Sequence, residues 1–557
     1  MLENEILDGL IASMASKPEH AQKVLEEIAS WPEVIASQDP FENTTRQREN
    51  GIFYTNFQLA RIMISEALEA AKNPTGPFLE PCVGGGSFYF AFIDLSMEKT
   101  SGSETDLKNI LKRCYIADND IVAISTVLKA APAYFKAKYG YSMEIPETNV
   151  FVGDSLWSTE DSLIRDFRKI FNQPDGFEFV ITNPPYKLIK GDKRQGTNST
   201  NSLIETVSAI RKSEALSLMR GVPNLYKLFV EAITCNWISD NGTIGLLIPK
   251  SLLSDSQSSV LREHILNRFE LGSIFEIPEG GDHFKGVGQA FSMFVGTKGL
   301  ATSMITYADI PNPVGSAIKR SEPISIDAIR KYSTKSALHR VSHSGQKLLT
   351  HLAEFPTIGD YPGIVNLRGE FDMSLDTRFL SETEKCLKLI QGINLRHFSV
   401  TPSVKFVSEE FLNRPKGIWV KQNRIACQQI SNMNQSRRMK WSLINPGFVL
   451  GNSCNFIGID SEGLWAVPVD SLYYFLGILN SSLINERFKL LSPNNHVSNG
   501  EINSLPIGDL EAPEVAKIME LSQELSKTFD YKTYEELDKI VLMHFRLTEK
   551  DRHWKAY

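Results

Sequence analysis

At 557 residues and 42% hydrophobic, the chain is long and apolar enough to bury more than one sizeable core. Its formal net charge of −7 weighs against a protein that coats nucleic acid along its whole surface. No apolar run approaches the roughly 20 residues of a membrane span, and the opening Met1-Leu2-Glu3-Asn4-Glu5 is acidic where a secretion leader is basic. The composition predicts a cytoplasmic globular protein with no membrane association.

Six cysteines (Cys82, Cys114, Cys235, Cys386, Cys427 and Cys454) lie far apart without a CxxC pair. That spacing suggests neither a disulfide framework nor a bound metal, and predicts small buried hydrophobes. The charge is uneven: residues 331–500 carry 19 Lys+Arg against 13 Asp+Glu, so the rest of the chain is the acidic part. A basic segment in an acidic body can bind a polyanion in one place; a solvated face is the other reading.

In chain order, Leu7, Leu10, Ile11 and Met14, then Val24, Leu25 and Ile28, broken by Pro18, Pro32 and Pro40, predict a small acidic helical cap over residues 1–45. After Gly51-Ile52-Phe53-Tyr54-Thr55-Asn56, either Thr55 or Asn56 can cap a helix carried by Leu59, Ile62, Met63 and Leu68. An apolar start at Phe78 leads into Glu80-Pro81-Cys82-Val83-Gly84-Gly85-Gly86-Ser87-Phe88 and a further helix. Three glycines between a strand and a helix let backbone approach a ligand at the helix N-terminus. They match neither the lysine-bearing phosphate loop nor the dinucleotide fingerprint, which leaves other nucleoside ligands open.

A second strand, Cys114-Tyr115-Ile116-Ala117, ends at Asp118, with Asp120 two residues on. A carboxylate there can accept both hydroxyl protons of a ribose, or else cap the helix beginning at Ile121. The third strand, Val150 to Val152, ends at Gly153-Asp154-Ser155. The fourth, from Phe179, stops at Asn183-Pro184-Pro185-Tyr186, because neither proline can continue a ladder or a helix. It offers an amide, backbone carbonyls and an aromatic ring at a strand end.

A polar stretch, Lys187 to Pro223, reads as a loop that orders on a ligand or as a plain insertion. A helix follows near Leu225 to Trp237, then a strand over Gly242 to Pro249, a helix near Ser259 to Leu266, and strands near Ile274 to Ile277 and Phe291 to Val295. Alternating helices and buried strands predict an α/β, doubly wound Rossmann-like sheet, with ligands beyond the strand carboxyl ends. Pro311, Pro313 and Pro323 suggest a linker over 301–345. Residues 346–510 read as a mixed α/β domain and 511–557 as an acidic helical tail.

Taken in this order and spacing, Gly51 to Thr55, Glu80 to Phe88, Asp118, Asp154 and Asn183-Pro184-Pro185-Tyr186 resemble the S-adenosylmethionine-dependent N6-adenine DNA methyltransferases of the gamma class, as found in restriction-modification systems. The resemblance covers about residues 46–300 and implies a catalytic domain there. It departs mildly at Asn56, where the family commonly has Pro, and at Glu80-Pro81, where it often has Asp-Pro.

The resemblance implies that Tyr54, Thr55, Glu80, Pro81, Gly84, Gly86, Phe88, Asp118 and Asp154 bind S-adenosyl-L-methionine. It implies that Asn183, Pro184, Pro185 and Tyr186 are catalytic, and that Tyr186 and Phe284 stack on a flipped-out adenine. The exocyclic amine of adenine is a poor nucleophile, since its lone pair is delocalised into the ring. Acceptors at Asn183 Oδ1 and the Pro184 carbonyl would draw it towards tetrahedral geometry.

Gly477-Ile478-Leu479-Asn480-Ser481 and Leu505-Pro506-Ile507 look like phrases of target-recognition domains. With Lys421, Arg424, Arg437, Arg438 and Lys440, they make residues 346–510 the expected reader of double-stranded DNA. A separately encoded restriction endonuclease is the partner this implies. The other readings are methylation of cytosine N4, an RNA base or a protein glutamine, and a non-catalytic DNA-specificity subunit. Cytosine enzymes usually carry Ser in place of Asn183, and glutamine enzymes are usually shorter.

Overall fold

The computed structural model describes residues 9, 11–12, 23, 55–158, 163–189, 217–218, 220–221, 223–277, 290–310, 317–384, 386–459, 470–492 and 495–553. Most of the expected cap over 1–45, most of the 187–223 insertion, and the expected site residues Tyr54 and Phe284 lie outside them. The chain divides into two units, residues 1–330 with 335–338, and residues 331–334 with 339–557.

In the first unit, α1 (Phe57–Ala70) begins at Asn56, whose side chain accepts from the Gln58 N–H, so Asn56 is the cap and Thr55 is left for other contacts. There follow β1 (Phe78–Glu80), α2 (Ser87–Met97), α3 (Glu104–Leu111), β2 (Cys114–Asp118), α4 (Ile121–Tyr139), β3 (Val150–Val152) and β4 (Phe177–Thr182). Next come α5 (Leu225–Ala232), β5 (Ile238–Pro249), α6 (Ser259–Arg268), β6 (Phe269–Ile277), β7 (Phe291–Lys298), β8 (Met304–Asp309) and β9 (Ile324–Ser325). The sheet order is β9-β8-β6-β7-β5-β4-β1-β2-β3.

The strands β3, β2, β1, β4 and β5 run parallel, and β7 inserts antiparallel between β5 and β6. From β1 the chain moves outward to β2 and β3, then returns to place β4 on the opposite side of β1. That reversal opens a crevice at the carboxyl ends of β1 and β4. Every residue of β1 and β4 is buried, as a strand covered on both faces requires. Phe78, Phe179, Ile181 and Met293 join α1, α2 and α4 in one apolar cluster. Tyr115, which alternates with Cys114 and Ile116, instead meets Phe171 and Phe177 on the other face.

Within the stretch expected as linker, residues 304–309 and 324–325 are strands of this sheet. Strand β8 pairs parallel with β6, and β9 closes the edge on β8. Pro323 stands just before β9, where no ladder N–H is needed, while Pro311 and Pro313 lie outside the described residues.

In the second unit, α7 (His343–Leu352) leads to β10 (Ile364–Arg368), β11 (Leu380–Ser381), β12 (Leu387–Ile390), β13 (Phe406–Val407), β14 (Arg424–Gln428), β15 (Trp441–Ile444), β16 (Phe448–Leu450) and β17 (Cys454–Ile459). They form two sheets, β10-β17-β14-β15 and β11-β13-β12-β16. After these strands come α8 (Ser471–Asn480), α9 (Ser482–Leu491), a one-turn helix at Asn499–Asn503, α10 (Glu514–Lys527) and α11 (Tyr531–His544).

Leu521, Leu525, Leu537 and Val541 share a core with Ile425, Trp441 and Ile457, so α10 and α11 are integral to this unit and not an appended tail. Of the cysteines, Cys114, Cys427 and Cys454 are buried as expected, whereas Cys82 and Cys386 are half-exposed and Cys235 is exposed. Among the described residues no helix is long and apolar enough to cross a membrane.

Candidate active site

The loop after β1 is tied to the ends of its neighbours. Val83 N–H donates to the Ala117 carbonyl at 3.0 Å, and Gly84 N–H donates to Asp118 Oδ2 at 2.9 Å. Ser155 Oγ, just beyond β3, donates to the Pro81 carbonyl at 2.6 Å. Gly153 N–H donates to the Asp118 carbonyl at 2.9 Å. These bonds bring Pro81, Gly84, Asp118 and the segment around Asp154 to one rim.

Asp120 accepts from the Val122 N–H and is the cap of α4, so Asp118 is spared that task. The other Asp118 oxygen accepts from the Asp120 N–H at 2.9 Å. Burial pushes the Asp118 carboxyl above the usual carboxylate range, against those N–H donors. Asp154 is exposed, and its Oδ1 accepts from the N–H groups of Leu156 and Trp157.

Glu80 is 2% exposed, and one of its oxygens accepts from the Tyr89 N–H in the first turn of α2 at 2.9 Å. Burial pushes this carboxyl well up, with the Tyr89 N–H opposing and the nearby Asp118 charge adding to the rise. Phe88 is 1% exposed and belongs to the core cluster.

Gly86 sets the turn into α2 with φ +81°, a left-handed conformation. A Cβ there would also stand 2.9 Å from the Phe90 ring and 3.0 Å from Val127. We expect Gly86→Ala to lose about 1–2 kcal/mol from the backbone conformation alone, with further loss from those contacts. A denaturant midpoint equal to that of the wild type would contradict this.

At the end of β4, Asn183 is half-buried and meets the first motif directly: its Nδ2 donates to Thr55 Oγ1 at 3.1 Å. Thr55 is itself anchored, its carbonyl accepting from Ser87 Oγ at 2.7 Å. The Tyr186 hydroxyl contacts Asn183 Oδ1 and also lies 2.8 Å from the Leu247 carbonyl. The Tyr186 ring packs on Phe291, centroids 5.2 Å apart, and edge-on to Tyr226 at 6.0 Å. Burial pushes the phenol well above its usual range, so it is a neutral donor.

Ser87 and Ser155 stand inside the quoted motifs without an expected role, and Leu247, Phe291 and Tyr226 were not expected at the site. Leu247 reaches Tyr186 because the β4–β5 register pairs Thr182 with Leu246, a relation no local pattern encodes.

The expected DNA-binding residues separate into two groups. Lys421 is exposed, and Lys440 is half-buried with its pKa lowered by burial and by Arg396 and Arg437. Arg424, Arg437 and Arg438 are corrected: they are 0%, 8% and 2% exposed. Arg424 is paired with Glu370 and donates to the Phe448 carbonyl. Arg437 donates to the Asn480 carbonyl, and Arg438 to the Ser492 carbonyl. Their guanidinium groups hold the second unit together, since a buried charge needs partners within the fold. Among the described residues no group of three or more His, Cys, Asp or Glu is arranged to hold a metal ion.

Comparison with known proteins adds a family to this geometry. Residues 109–284 match the model of the Eco57I restriction-modification methylase family. The Type II methyltransferase M.BsuBI of Bacillus subtilis is 25% identical over 220 residues, covering 40% of this chain and 38% of that protein. The match thus spans well under half of the curated relative.

Among solved structures, the ATP-dependent Type ISP restriction-modification enzyme LlaBIII bound to DNA is similar with a TM-score of 0.56 and 12% identity, over 91% of this chain and 41% of that one. The Type IIL restriction-modification enzyme MmeI in complex with DNA gives 0.51 and 11%, over 90% and 77%. At such identities the structural likeness speaks for the fold alone. Residues 109–284 are therefore similar in sequence to an Eco57I restriction-modification methylase, within a fold shared with restriction-modification enzymes.

Proposed function

We propose that the chain is a site-specific DNA adenine N6-methyltransferase, the modification component of a restriction-modification or phage-defence system. The observation that carries this reading is the meeting of Thr55, the glycine loop and Asn183-Pro184-Pro185-Tyr186 at the switch point of the sheet.

The residues fit S-adenosylmethionine. Glycine backbone opens α2, and a carboxylate ends β2 with both oxygens oriented by N–H donors. Pro81, Gly84, Gly86, Asp118 and Asp154 would hold this group, which supplies a methyl on an electrophilic sulfonium.

The chain's part is positioning. Asn183 Oδ1 and the Pro184 carbonyl accept the two N–H bonds of the target amine, which frees its lone pair. No dedicated base is required, because the methylated ammonium sheds its proton readily. The step is governed by alignment and by fixed acceptors, where enzymes gain most over solution. Double-stranded DNA is the substrate, its adenine turned out of the stack. Lys421 and Lys440 of the second unit are the remaining candidates for phosphate contacts.

The test is to express the chain in a host lacking adenine methylation and map modified bases in its DNA. N6-methyladenine at one recurring sequence is the expected result. Finding none in the presence of cofactor sinks the proposal, and finding N4-methylcytosine corrects the base.

A further inference from the structure

We propose that Thr55 is a positioning residue for Asn183, its hydroxyl setting which edge of the amide faces the target amine. The inference rests on the proposed methyl transfer and adds to the cofactor role that the resemblance implies for Thr55.

An amide side chain presents two edges of nearly equal size, one accepting and one donating, and a half-turn exchanges them. With the donating edge towards the target, N–H would face N–H and the amine would gain no acceptor. Asn183 therefore needs a partner that fixes its edge before DNA arrives. Thr55 Oγ1 accepts from Nδ2 at 3.1 Å. The threonine is held from both sides: Ser87 Oγ donates to its carbonyl at 2.7 Å, and the next residue, Asn56, caps α1. The hydroxyl is thus located by the starts of two helices that pack in the same core.

The opposite edge has its own occupant. The Tyr186 hydroxyl contacts Asn183 Oδ1, and the same hydroxyl lies 2.8 Å from the Leu247 carbonyl, a second acceptor. One hydroxyl proton serves one acceptor at a time. In the resting site it satisfies Oδ1; when a target N–H takes Oδ1, the hydroxyl turns to Leu247. The acceptor is held ready without being left unsatisfied, a costly state in a partly buried site.

The test uses the full-length chain, S-adenosylmethionine and DNA from a host lacking adenine methylation. It measures single-turnover methyl transfer with both ligands saturating, calorimetric affinity for S-adenosylmethionine, and the thermal midpoint. Thr55→Val, which keeps the shape and removes the hydroxyl, is expected to lower the transfer rate by about 10²-fold even with S-adenosylmethionine saturating, with the thermal midpoint unchanged. Thr55→Ser, which restores the hydroxyl, is expected to return the rate close to that of the wild type.

A Thr55→Val enzyme as fast as the wild type overturns the inference. So does a variant that loses cofactor affinity but keeps its saturated rate, since Thr55 would then act on the cofactor alone. A serine variant as slow as the valine one overturns it too. A wild-type chain that transfers no methyl group fails the underlying function and takes this inference with it; an active wild type with a fully active valine variant fails this inference alone.

Discussion

Asn183→Ala is expected to lower the saturated rate of methyl transfer by about 10²–10³-fold, the range found when one preorganised polar group is removed from a reacting centre. Affinity for S-adenosylmethionine and for DNA should stay near the wild-type values. The reasoning starts from where the strand ends. Pro184 and Pro185 carry no N–H and stop β4 at Thr182, so Asn183 is projected beyond the sheet beside the glycine loop of β1.

There its amide makes contact with Thr55 and Tyr186, and alanine abolishes the acceptor while leaving the strand and both prolines in place. The measurement is single-turnover methylation alongside binding titrations. Loss of binding in step with loss of rate would show that Asn183 holds ligands in place, and substantial residual methylation would remove it from the chemistry.

The second large effect concerns stability. Arg424→Ala is expected to destabilise the second unit by about 3–5 kcal/mol, the cost of breaking a buried ion pair from one side. The Arg424 and Glu370 side chains are both fully buried, and Glu370 also accepts from the Leu450 N–H at 2.9 Å. Removing the guanidinium strands a carboxylate that has no access to water. Replacing both partners together, Arg424→Met with Glu370→Leu, is expected to recover most of the loss, because no unpaired charge is left.

Urea unfolding followed by a probe within residues 339–557 would read these changes. The same variants separate structure from recognition. A phosphate-contacting arginine would lower the salt dependence of DNA binding when removed, whereas Arg424 is expected to leave that slope unchanged in any variant that still folds. An unaltered unfolding midpoint for Arg424→Ala would mean that the pair contributes nothing.

Much of the first unit is legible in the residues. Strands β2 and β3 start where the apolar runs predict. Others grow at their unread ends, β4 by two residues at Phe177 and β5 by four at Ile238. Each expected polar cluster falls at a carboxyl end because alternating helices and strands force ligands there. The competition at Asp118 between helix cap and ligand carboxylate could not be resolved by spacing, since both need an acid at that place. Backbone geometry gives the cap to Asp120, which takes that task from Asp118. Strand β8 was missed because the prolines that follow it in the sequence read as a linker, and its pairing partner β6 lies about thirty residues earlier in the chain.

Sequence alone determined the order of motifs, the parallel half of the sheet from β1 to β5 and the chemistry available at the end of β4, because these depend on local patterns: apolar runs, glycines in series and prolines that stop a strand. Tertiary structure alone decided which charged and polar groups are spent inside the fold. Arg424 and Glu370 are 54 residues apart, and Thr55 and Asn183 are 128 apart. Composition registers that a side chain is charged or polar, but its fate is set by the desolvation it meets and the partner that long-range packing supplies. For three arginines that partner lies within the domain, and for Asn183 it is a hydroxyl 128 residues earlier in the chain.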